Sequence, residues 1–355
     1  MRQKFFLLIA LLCAAAQGAW AEDTYDYPTK TKPQFYASYG GKSNVVVINT
    51  AAELAYITEH FSEDSGYNDG ADWDEMDYYL NADINMGNSY SWMPLGRESY
   101  WVTRYSGTFW GNGHTITYMI RGLDEENQGL FATIHEDGKV YDVNVVCDIY
   151  TQRDYVGGIA GENYGTIENC TVTANIVSED HDFVGGIVGE NAPGGIVKGC
   201  HVMGLVKGIE SAKYVGGITG RNIKGANDPE IVNCWVEADV SSEHYNALKN
   251  AYVGGIAGHN NSFIRYCCMT GNVSNPEDDC VGGICGKNAS HGRTFRSGSE
   301  YGTVEHCTFY GVIDNDHSRT SDFIGDGYGD YMYREFNQAE YDDAVSNGHA
   351  LYAYA

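Results

Sequence analysis

From residue 140 onward the chain alternates apolar and polar positions, and the alternation restarts at intervals. Ile167, Cys170, Val172, Ala174 and Ile176 form one apolar set, with Thr171, Thr173 and Asn175 between them. The same order returns as Val197, Cys200, Val202, Gly204, Val206 and as Ile231, Cys234, Val236, Ala238, Val240. It returns again as Ile264, Cys267, Met269, Gly271, Val273 and as Val304, Cys307, Phe309, Gly311, Ile313. A period of two puts alternate residues on one face of a β-strand, so each set predicts a strand with a dry and a wet face. A degenerate copy, Val140, Val143, Val145, Cys147 and Ile149, comes first.

Ahead of each alternating set stands Val-Gly-Gly-Ile-x-Gly-x-Asn, starting at Val156, Val184, Val215, Val253 and Val281, with spacings of 28, 31, 38 and 28 residues. A worn trace follows at Phe323-Ile324-Gly325. Short strands and glycine turns at such a period predict the coils of a β-solenoid, each too thin to bury its own apolar face. Stacking coils about 4.8 Å apart joins those faces into one core. The Cys set and the small set (Ala174, Gly204, Ala238, Gly271, Gly311) are then interior rows. Asn163, Asn191, Asn222, Asn260 and Asn288 form an amide ladder at one corner. Upstream, Thr50-Ala-Ala-Glu53 is a capping box followed by Leu54, Ile57 and Phe61 at helical spacing. This predicts a short helix covering the open end of the first coil, with a loop at 62–72.

The stretch Val156-Gly-Gly-Ile-Ala-Gly-Glu-Asn-Tyr-Gly-Thr-Ile-Glu-Asn-Cys-Thr-Val172 resembles the GLUG repeat of bacterial surface and secreted proteins. Trp92-Met-Pro-Leu-Gly96 and Gly107-Thr-Phe-Trp-Gly-Asn-Gly-His-Thr-Ile116 agree with it, although Trp110 stands where such proteins usually carry Asp. The resemblance covers roughly residues 44–323. It implies an all-β, right-handed parallel β-helix and an adhesin-like, Bacteroides-type protein on a Gram-negative cell surface. The expected organisation is a signal peptide (1–21), a flexible leader (22–43), an N-terminal cap with the first coils (44–135), the GLUG-repeat helix (136–330) and a C-terminal tail or cap (331–355). Within that tail, 337–347 suits a closing helix.

The signal peptide is read from Arg2 and Lys4, the apolar run Phe5 to Ala16 and the Ala19-Trp20-Ala21 cleavage pattern. Leu12 before Cys13 argues against a lipobox. The 355 residues carry 48 acidic and 22 basic side chains, a formal charge of −26. That balance excludes the basic footprint of a nucleic-acid binder and opposes anionic lipid. No second long apolar run supports membrane insertion. Of ten cysteines, five share the interior row, where parallel Cβ directions suit free thiols better than disulfides. Cys268, Cys280 and Cys285 are expected to be exposed and open to oxidation. His135-Glu136 is followed by Asp137-Gly138-Lys139 and lacks the second His of a zinc-protease helix. No nucleophile elbow or phosphate loop appears either, so no catalytic residue, metal or cofactor is assigned. His114 reads as a hydrogen-bonding turn residue.

Two exterior features suit binding. Tyr155, Phe183, Tyr214 and Tyr252 each precede an inward Val and should point outward as a row of rings able to stack on sugars. The alternative is that they pack under neighbouring loops. Arg293 and Arg296 lie in an insertion of an otherwise acidic chain, and loops often carry function. The reading is an exported, surface-associated binding or adhesion module whose partner is an extracellular glycan or host surface ligand, without catalysis. A glycan-cleaving β-helix enzyme and a plain structural stalk are the competing classes.

Overall fold

The computed structural model describes residues 30–61, 72–88, 90–96, 104–244, 251–276, 280–288 and 302–314, plus the backbone of strands at 320–321, 324–327 and 331–332. The expected signal peptide, the insertion bearing Arg293 and Arg296, and the 337–347 helix lie outside the described residues.

The chain is a parallel β-solenoid. One coil runs through Val184–Gly185, Val188–Asn191, Ile196–Lys198 and His201–Glu210, and the next begins at Tyr214–Gly216. Equivalent strands stack along the axis into sheets of five, seven, eleven and eleven strands, parallel except for one antiparallel edge strand. The interior rows are in register: Ile116, Val145, Val172, Val202, Val236, Met269 and Phe309 pair in succession. All but Phe309, which is partly buried at the far end, are closed to solvent. Ile324–Gly327 continues the seven-stranded sheet, so the worn trace is a further coil.

The repeated glycines answer to close approach. A Cβ on Gly217 would lie 2.2 Å from the Gly255 carbonyl oxygen and 2.6 Å from Val236 Cγ1. A Cβ on Gly189 would lie 2.5 Å from the backbone of Tyr155, one coil back. The chain therefore folds over itself at this corner more tightly than any side chain permits. At the following corner the asparagines form the expected ladder. Asn163 donates to Asn191 at 2.9 Å, Asn191 to Asn222 at 3.0 Å, Asn222 to Asn260 at 2.8 Å and Asn260 to Asn288 at 2.9 Å. All five are fully buried.

The interior thiols are free and buried, and each Sγ–H points to a carbonyl of its own or the preceding coil, as Cys234 does to Val232 (3.4 Å) and Val197 (3.6 Å). One expectation fails. Cys268, Cys280 and Cys285 are buried, with exposures of 5%, 0% and 0%. The strand bearing Cys268 pairs with strands on both sides, and Cys280 continues the aromatic row under Tyr252. Cys285 is an interior residue, in the core row of Ala257, and for the other two an outward side of the pleat gives no access to water where neighbouring coils cover it.

At the N-terminal end, helix α1 (Ala51–His60) starts at the capping box: Glu53 N–H donates to Thr50 Oγ1, and Thr50 N–H to Glu53 Oε2. Leu54, Ile57 and Phe61 are buried in the core they were expected to cover. Part of the leader expected over 22–43 is a strand: Gln34–Tyr39 pairs antiparallel with Lys42–Ile48 around the left-handed turn Gly40-Gly41. Phe35 and Tyr36 sit opposite Val46 and Val45, aromatic against β-branched, in a hairpin on the first sheet's edge.

Candidate functional site

The outward row is a stack of rings. Tyr155 and Phe183 lie 4.9 Å apart, Phe183 and Tyr214 5.3 Å, Tyr214 and Tyr252 5.5 Å, with interplanar angles of 16°, 9° and 11°. The spacing follows the coil rise, because each ring sits at the same position of successive coils. The expectation that every ring would show a face to solvent is therefore not met. The faces are spent on one another, Phe183 and Tyr252 are buried, and Tyr155 and Tyr214 are half-buried.

Beside the rings runs a second row, the variable residue before each ladder asparagine. In register these are Glu162, Glu190, Arg221, His259 and Lys287, with Thr133, ahead of Ile134, in the coil before them. The overlap at Gly189 shifts the two rows by one coil, so each ring meets the charge of the coil after it. The Arg221 guanidinium lies 4.1 Å from the Phe183 ring centre, and Lys287 Nζ 4.4 Å from that of Tyr252. Lys287 also donates to the Tyr252 hydroxyl at 3.1 Å. The ring of His259 sits 5.4 Å from that of Tyr214, whose other neighbour, Lys213, holds Nζ 4.8 Å from the ring. Arg221 binds buried Glu190 through Nε and a terminal nitrogen. Burial pushes the Glu190 carboxyl up, and Arg221 opposes it. Burial and the surrounding Lys287, Arg221 and Lys213 push His259 down to about 3, so it is neutral at physiological pH.

Two rings stand in costly backbone. Tyr155 and Phe183 have φ of 59° and 68°, the left-handed region that bulky residues seldom enter. The preceding coil holds Asn127 at the equivalent place with φ 60°, a residue that tolerates it. Sequence reasoning found the rings but missed the charged row, although the variable position between invariant Gly and Asn was the readable signal.

The acidic cluster Glu179, Asp180 and Asp182 is engaged between coils. Glu179 accepts from the Tyr150 hydroxyl, Asp180 from Ser211 at 2.9 Å and Asp182 from Lys213 N–H at 2.9 Å. His114 bonds Asp83 at 3.2 Å, in keeping with a turn role. His135, Glu136 and Asp137 bring possible ligand atoms within 4.8 Å of one another, but they are consecutive residues on an exposed turn. Among the described residues no helix is long and apolar enough to cross a membrane.

Comparison with known proteins agrees with this architecture. Residues 153–177 match the family described as "The GLUG motif", so the chain carries that motif in its first complete repeat. A protein of Evansella cellulosilytica named "Putative Gly-rich membrane protein" is 32% identical over 142 residues, which is 39% of this chain and 15% of that protein. A crystal structure from Bacteroides ovatus, described as a "putative immunoglobulin A1 protease", superposes with a TM-score of 0.61 over 88% of both chains at 18% identity. At that identity the likeness is one of fold.

Proposed function

We propose that this GLUG-motif solenoid is displayed outside the cell as a binding module that recognises an extracellular glycan or surface ligand, without chemistry of its own. The carrying observation is the aromatic row at Tyr155 and Phe183. Each residue holds a left-handed backbone at a cost on the order of 1–3 kcal/mol, where Asn127 shows what the scaffold alone would accept. Strain kept at the edge of a charged, half-exposed strip marks a surface built for contact. Display at the surface draws support from the name of the Evansella relative and from the signal-like residues 1–21.

Because the ring faces are occupied, a sugar would meet ring edges, tyrosine hydroxyls and the adjoining charges. A glycan array probed with the full chain tests the reading, with Tyr214→Ala as the paired variant. Binding that weakens several-fold in the variant, with thermal unfolding little changed, supports the strip. Binding unchanged in the variant moves the site to the insertion bearing Arg293 and Arg296. No binding across the array leaves the stalk.

A further inference from the structure

Resting on that reading, we infer that the strip takes an anionic polysaccharide, one whose carboxylate or sulfate groups line up with Arg221, Lys287 and Lys213. The whole chain has 22 Lys and Arg against 48 acidic side chains. Yet these three cations occupy two ring-to-ring steps of the ladder, beside Phe183, Tyr252 and Tyr214 respectively. The outward row changes sign along the rod: Glu162 and Glu190 come first, and Arg221, His259 and Lys287 follow in register. Glu190 at this half is paired with Arg221, which therefore offers a ligand only part of its charge and leaves Lys213 and Lys287 the larger role, and Asp182 accepts from the Lys213 N–H. His259 reports the same field, since the charges acting on it are Lys287, Arg221 and Lys213.

Geometry suits a polymer more than a small anion. Arg221 and Lys287 stand two coils apart in one row, with neutral His259 between them, and Lys213 flanks the ring row; the rings beside them are 5.3 and 5.5 Å apart, a step commensurate with one sugar unit of an extended chain. Tyrosine hydroxyls between the charges supply partners for sugar hydroxyls. The net charge of −26 repels a polyanion at long range. At physiological salt, however, charges are screened beyond about 8 Å, and only the local cations are felt.

The test is a titration of the full chain with polygalacturonate, dextran sulfate and uncharged dextran, at physiological and at molar salt. Lys213→Gln/Lys287→Gln removes two charges from the strip. Lys139→Gln/Lys198→Gln removes two from another face and controls for net charge. The expected result is binding of one or both polyanions at physiological salt, lost at molar salt. The strip variant should weaken it roughly threefold to tenfold, as two exposed ion pairs imply, and the control variant should not. Equal binding of uncharged dextran, indifferent to the strip variant, would overturn the anionic class while leaving the binding module intact. If neither charged nor neutral glycan binds here or on the array, both readings fall. Concentration-dependent dimerisation that the strip variant abolishes, without polyanion binding, would make the strip an interface between copies and overturn the inference.

Discussion

The first coils and the GLUG coils close the same kind of interior by opposite means. The largest fully buried side chains, Trp92, Tyr78, Tyr105, Tyr118, Phe109 and Phe131, all belong to the first coils. They meet at tilted, edge-on or stacked angles, Tyr105 on Phe131 at 5.0 Å and Phe109 on Phe131 at 5.6 Å. From Val140 onward the interior is mostly Val, Ile, Cys, Ala and Gly stacked in rows, with Met269 and partly buried Phe309 at the far end. Tyr118 marks the join: it occupies the row that continues as Cys147, Ala174 and Gly204, and its hydroxyl donates to the Gly158 carbonyl at 2.8 Å. The difference teaches where repetition is needed. Coils built from one repeated sequence converge on small residues that can follow one another down a row. The first coils, whose sequences differ, are filled by unlike large ones even where strands pair on both sides, as at Phe109 and Tyr118.

The sharpest break of the repeating half is Val236→Asp. An unpaired carboxylate would enter a fully buried row, so unfolding in urea should show a loss of about 4 kcal/mol or more. In the first coils, Trp92→Ala removes a fully buried ring and its hydrogen bond to the Leu130 carbonyl. A loss of about 3–5 kcal/mol is expected. The two variants should differ in reach. Hydrogen exchange should quicken around Trp92 and Phe131 for Trp92→Ala, while strands 196–273 stay protected, because solenoid coils feel chiefly their neighbours. Uniform loosening by Trp92→Ala would make the two halves one cooperative unit.

Breaking the amide ladder at Asn222→Ala removes the acceptor of Asn191 and the donor to Asn260, leaving Asn191 with the Gly195 carbonyl and Asn260 Oδ1 with the Ser262 N–H. It should cost about 1–3 kcal/mol by thermal unfolding. At the strip, His259 gives a pH test. Its folded value of about 3 lies below the ordinary 6.5, so its contribution is whole above pH 6.5 and is lost as pH falls toward 3. At pH 5 the loss is about 2 kcal/mol, and His259→Gln should flatten that part of the acid limb in pH-dependent urea titrations.

The repeating half was legible because alternation and identity reinforce each other over five copies: the Val, Cys and Asn rows all appear in register. The capping helix was legible from a local hydrogen-bond code at Thr50 and Glu53. What escaped were properties set by neighbouring coils. Whether Cys268 and Cys280 see water depends on cover from flanking strands, and whether Tyr214 shows a face depends on the rings one coil away. The charged row was hidden for the same reason, since the overlap at Gly189 that pairs each ring with the next coil's charge exists only in three dimensions.

The mildest expected effect concerns the thiol row. Cys234 is nearly closed to solvent, and its Sγ–H reaches carbonyls only at 3.4 and 3.6 Å, so Cys234→Ala removes one small buried atom and two weak contacts. The cost should be about 1–2 kcal/mol, well below that of Trp92→Ala, because the cavity is small. Burial holds this thiol above the ordinary value of 9.0. Its contribution is therefore whole below pH 9 and is lost as pH rises beyond it, so the variant should lose less stability than the parent on the alkaline side. Alkylation is the direct check: the native row should resist a thiol reagent, and Cys170, Cys200, Cys234, Cys267 and Cys307 should all label once denatured without reductant. Bridged cysteines under those conditions would mean that the row is a set of cross-links, and Cys234→Ala would then cost considerably more than a small cavity.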